Sequence, residues 1–167
     1  MVESGKQTDP EFADRVAKLW EWRLDLLSTA AAGDAREEGE GLLWLLKSPN
    51  LAASRAIELG TATIHLGPFA GRLSSAAWER MTNLMSAYPV EAYGLLEHLL
   101  EAQLASDFAY LPFDQVRPSI SAALACDDHG IRERGERMIH RLGEAGHREF
   151  GQLIRQPDVE EPPSAAS

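Results

Sequence analysis

The sequence predicts an all-α fold: an α-solenoid of about four antiparallel helix pairs, of the HEAT or armadillo kind. Three observations predict it. Helix openings recur at roughly forty residues, after Ser48-Pro49, Tyr88-Pro89 and Asp127-Asp128, which is a period of two-helix repeats. Each opening leads into apolar residues at three- and four-residue steps, then a break and a partner helix. The one strand-like run, Thr61-Ala62-Thr63-Ile64-His65, has no partner strand elsewhere in the sequence. A lone amphipathic hairpin cannot bury its stripe, whereas stacked hairpins can.

The elements follow in order. Residues 1–8 read as a flexible leader, 9–155 as a single helical-repeat domain, and 156–167, with three prolines, as a disordered tail. Asp9-Pro10-Glu11 supplies an N-cap acceptor, a proline at the first helical position and an acid at the positive end of the dipole. The helix it opens carries Phe12, Val16, Leu19, Trp20, Leu24 and Leu27 and is expected to reach about Ala31, before Gly33-Asp34. A short second helix ends at Lys47; Gly39 and Gly41 each weaken it by about 1 kcal/mol relative to alanine. Ser48-Pro49 is expected to start a third helix bearing Leu51, Ala52, Ala56, Leu59 and Ile64, and Gly67-Pro68 and Gly71 mark a loop.

From Ser74 or Ser75 a fourth helix carries Trp78, Met81, Leu84, Met85 and Tyr88. Pro89 begins a fifth, with Val90, Tyr93, Leu96, Leu99, Leu100 and Leu104 inward. A sixth takes Phe113, Val116, Ile120, Ala123 and Leu124, and Pro118 within it is expected to delay its start or kink it. Asp127-Asp128 caps a seventh bearing Ile131, Gly135, Met138, Ile139 and Leu142. Gly146 separates this from a short last helix with Phe150, Leu153 and Ile154.

Composition narrows the function classes. The 167 residues, 44% hydrophobic, suffice for one continuous core. The longest apolar run, Gly41 to Leu46, stops at Lys47, far short of the roughly 18 residues of a membrane span. The polar Met1–Asp9 stretch lacks the apolar core of a secretory signal, and the single Cys126 fits a reducing, cytoplasmic setting. The net charge of −10 opposes general nucleic-acid binding. Residues 1–127 carry −8 and 156–167 carry −3, while 128–155, with six bases and five acids, carry +1. The last hairpin is the only locally basic region.

The stretch Ser119-Ile120-Ser121-Ala122-Ala123-Leu124-Ala125-Cys126-Asp127-Asp128, the run from Arg132 to Arg141-Leu142-Gly143-Glu144-Ala145-Gly146, and Arg148-Glu149-Phe150 resemble a bacterial segment of HEAT-like repeats. Trp78 to Leu104, with Tyr88-Pro89-Val90-Glu91-Ala92, is similar too. Such segments sit near the C-terminal ends of large multidomain proteins, several with nucleotide-hydrolysing or effector modules upstream. The resemblance covers about 70–155. It implies a module for protein contacts or for packing on a neighbouring domain, and it implies no catalytic residues. No nucleotide-hydrolysing module is present in this sequence.

The motifs agree. There is no Gly-rich phosphate loop, no Gly-x-Ser-x-Gly elbow and no His-Glu-x-x-His helix, so no catalytic, cofactor or metal residues are expected. Glu136, His140 and Glu144 share a helix face, with Cys126 to His129 and His147 nearby; that spacing equally gives ordinary solvated pairs. Arg134, Arg137, Arg141 and Arg148 fall near one side of the last hairpin. They form either a basic strip for an acidic partner or phosphate backbone, or a face neutralised internally through pairs such as Glu133 with Arg137. A helix-turn-helix over 119–142 would need an exposed reading helix, whereas the seventh helix commits its stripe to the core.

Trp20 and Trp22 differ by about 200° around a helix, so both cannot face one core. One is expected to be an exposed partner anchor, unless the helix lies between two layers. The connector residues Phe108, Tyr110 and Phe113 pose the same choice between anchor and groove plug. His65 and His98 read as edge or core histidines, and Cys126 as structural. The expected function is therefore non-catalytic: a protein–protein interaction or scaffolding module binding another protein or a neighbouring domain. The alternative is a regulatory or nucleic-acid-contacting domain of a larger system, acting through the basic last hairpin.

Overall fold

Side-chain caps open two of the helices. Ser74 Oγ accepts from the Ala77 amide at 3.2 Å, and Asp128 Oδ1 accepts from the Ile131 amide at 3.0 Å, each satisfying a donor that the first helical turn leaves free. A computed structural model describes residues 10–29, 38–39, 41–48, 50–66, 73–105 and 111–155. Among them the regular elements are all helical. They include α1 (Pro10–Leu27), a 3-10 turn (Trp44–Lys47) preceded by helical residues at 38–39 and 41–43, α2 (Ala53–Ile64), α3 (Ser75–Ala87), α4 (Pro89–Leu104), α5 (Phe113–Leu124), α6 (His129–Glu144), a second 3-10 turn (Arg148–Gly151) and α7 (Gln152–Arg155). The leader at 1–8, the tail at 156–167, and Phe108 and Tyr110 lie outside the described residues.

The packing alternates along the chain. α1 lies on α2, α2 on α4, and α4 on α6; the first 3-10 turn lies on α3, α3 on α5, and α5 on the second 3-10 turn. Two layers result, joined by α3 with α4 and by α5 with α6. The core runs continuously between them, from Trp20 and Leu46 through Trp78, Met85, Leu95 and Ile120 to Leu142 and Phe150. Hydroxyl groups tie stacked helices together inside each layer. Trp20 Nε1 donates to Thr63 Oγ1 at 2.8 Å in one layer, and Thr82 Oγ1 and Ser119 Oγ lie 2.9 Å apart in the other.

Several expectations need correction. α2 begins at Ala53, not at Ser48-Pro49, because the chain makes a turn in which the Leu51 amide bonds back to the Ser48 carbonyl at 3.4 Å. The Leu51 carbonyl is meanwhile taken by the Arg80 guanidinium from α3 at 2.6 Å. α1 ends at Leu27 rather than Ala31. α5 starts at Phe113 despite Pro118, so the proline delays nothing. The strand-like residues 61–64 lie inside α2, in line with their lack of a partner strand, and the Thr63 hydroxyl donates to the Leu59 carbonyl at 2.7 Å while accepting from Trp20. Phe12, Leu19, Tyr88, Val90 and Ile154 belong to predicted inward stripes but are exposed. Of the two alternatives for the histidines the edge one holds: His65 is exposed and meets the half-buried His98 edge to face at 5.1 Å.

Candidate docking site on the first helix

α1 opens its layer and carries two unlike faces. Ala17, Trp20 and Leu27 are buried against the stack, and Thr63 holds the Trp20 indole. Glu21 pairs with Arg55 of α2, which also reaches Glu58 at 2.6 Å. These contacts fix the rotation of α1 about its axis. Another side of the helix is thereby committed to solvent, and it carries large apolar side chains. Phe12, Leu19, Trp22 and Leu26 are exposed there, Trp22 at 55% against 0% for Trp20. Their steps of seven, three and four residues keep them in one stripe. The fourteen steps from Phe12 to Leu26 span about 21 Å of helix. The Arg23 guanidinium sits 5.3 Å from the Trp22 ring centre and pairs with Glu38, leaving the far face of the indole free to be covered.

The predicted tryptophan split is thus resolved: Trp20 is the stack anchor and Trp22 the exposed one, so α1 is not enclosed between two layers. Phe113, by contrast, is half-buried and packs edge to face on Phe150 at 4.9 Å, with Arg117 beside it. It plugs the junction between α5 and the last turn and is not brought near α1.

Three arginines of the last hairpin are engaged, while Arg148 of the predicted strip is exposed. Arg134 pairs with Glu97 and lies 4.6 Å over the Tyr93 ring; Arg141 pairs with Glu101; Arg137 bonds Glu133 at 2.6 Å. The hydrogen bond that Arg134 donates to the Glu97 carboxylate raises it above its ordinary range, and the one Arg141 donates to Glu101 does the same for Arg141. Two of the three bridge α6 to α4, so these charges serve the layer and do not form a trio open to phosphate. Glu136, His140 and Glu144 are exposed, and among the described residues no group of three or more His, Cys, Asp or Glu is placed to hold a metal ion.

The contribution of Leu19 and Leu26 to the exposed stripe escaped the sequence reading. A signal existed: Phe12, Leu19 and Leu26 repeat every seven residues, on a line separate from Ala17, Trp20 and Leu27. No protein-family model, curated protein or solved structure matches the chain. No described helix is long and apolar enough to cross a membrane.

Proposed function

We propose that this chain is a non-catalytic helical-repeat module, a short α-solenoid of HEAT-like helix pairs, that docks another protein on the outer face of α1. The single observation carrying the reading is the stripe of Phe12, Leu19, Trp22 and Leu26, exposed on a helix whose other side is locked by Trp20 and Thr63. Contiguous exposed apolar surface of this kind marks interaction sites, and tryptophan is the side chain that most often dominates binding energy. The alternation of packing, each element on the next but one, supports the solenoid arrangement, because stacked hairpins bury a shared core in that way. A cytoplasmic setting agrees with the lone, buried Cys126. The basic-hairpin alternative is disfavoured by the glutamates that occupy Arg134, Arg137 and Arg141.

The test is a capture experiment with immobilised parent chain and Trp22→Ala. The truncation removes a side chain that contributes little to the core, so the variant should stay folded while losing the proteins that the parent retains. Unchanged recovery with a folded variant would remove the reading.

A further inference from the structure

We infer that the occupant of the α1 stripe is a second copy of this chain, the two α1 helices packing antiparallel about a two-fold axis near residues 20 and 21. The inference rests on the docking reading above and names its partner. Phe12, Arg15, Leu19, Trp22 and Leu26 step by three, four, three and four residues, the spacing of a two-helix seam. The outer charges then select the orientation. Lys18 and Asp25 flank the seam on one side, and Arg23 lies on the other.

A parallel, in-register pair sets Lys18 of each copy beside Arg23 of the other, two repulsive contacts. The antiparallel pair centred between Leu19 and Trp22 instead sets Lys18 of each copy beside Asp25 of the other, two attractive contacts. It also lays Leu19 of each copy on Trp22 of the other and the Arg15 stem on Leu26. The Asp25 carboxylate has no ion-pair partner among the described residues. Among the described residues Lys18 bonds the exposed Asp14 of its own helix, at 2.6 Å, a surface pair that exchanges easily. Self-complementarity of this kind is what a two-fold contact requires. Four half-exposed apolar side chains per copy fall short of the roughly 1,200 Å² of a stable interface. The dimer is therefore weak and reversible.

Sedimentation of the purified full chain over a wide concentration range tests this, with circular dichroism as the folding control. The parent should pass from the 18.4 kDa monomer toward twice that mass. Trp22→Glu should remain monomeric. Lys18→Glu and Asp25→Lys should each weaken association by about tenfold, and the double reversal should restore it, since each copy then again offers opposite charges. A parent that stays monomeric throughout, a dimer indifferent to Trp22→Glu, or a double reversal without rescue would each overturn the inference. If the parent is monomeric yet captures a different protein through Trp22, self-pairing fails and the docking reading stands; if neither occurs, both fail.

Discussion

Trp20 Nε1 donates to Thr63 Oγ1 at 2.8 Å, and both residues are wholly removed from solvent. This bond joins α1 to α2 and decides which face of α1 turns outward. Thr63→Val keeps the shape and removes the acceptor, leaving the buried indole N–H unpaired. The cost should be about 1–3 kcal/mol in urea unfolding. Thr63→Ser keeps the hydroxyl and should lose less.

Close approach between α2 and α4 makes a second prediction. A Cβ at Gly60 would lie 3.1 Å from a methyl of Leu95 and 3.2 Å from one of Leu46, both buried side chains with little room to give. Gly60→Ala should therefore destabilise despite alanine's better helix propensity, by about 1 kcal/mol or more. Gly94, in the middle of α4, meets nothing within 4 Å. Gly94→Ala should stabilise by about 0.5–1 kcal/mol. Thermal melts of the two variants should move in opposite directions.

These two sites show what the sequence could and could not reveal. The starts at Pro10, Ser74 and Asp128 were legible because caps act within one turn, and the all-α class followed from the apolar spacing. The start of α2 was hidden because Arg80, twenty-nine residues away, claims the Leu51 carbonyl. The role of Thr63 was hidden for the same kind of reason, since its partner Trp20 lies forty-three residues away. The α1 stripe was half legible: the Trp20–Trp22 offset offered one exposed ring unless a second layer covered it, but only the packed helices show that Phe12 and Leu19 join Trp22. Neutralisation of the arginine face was legible, but the partners of Arg134 and Arg141 were not, because Glu97 and Glu101 lie on α4, far away in sequence.

Tyr93 carries a pH dependence. Burial, then the nearby Glu97 carboxylate, push its phenol from 10.0 up to about 12. In the unfolded chain the phenol loses its proton at the lower value, so alkali favours unfolding between the two. Its contribution is complete below about pH 10 and is lost as pH rises through about 12. A phenolate absorbance titration should show one tyrosine ionising late, and Tyr93→Phe should abolish that step. The buried Tyr93 hydroxyl has no hydrogen-bond partner among the described residues. At neutral pH the same variant should therefore cost less than about 1 kcal/mol.

The docking role of α1 is tested most directly by placing a photocrosslinking phenylalanine derivative at position 22 and irradiating the chain at working concentration in cell extract. A discrete adduct, of twice the chain's mass or of another defined mass, is the expected result, with none from the same group at the exposed position of Glu136. A failure to form any defined adduct at position 22, or equal labelling at position 136, would contradict the assignment of α1 as the contact face.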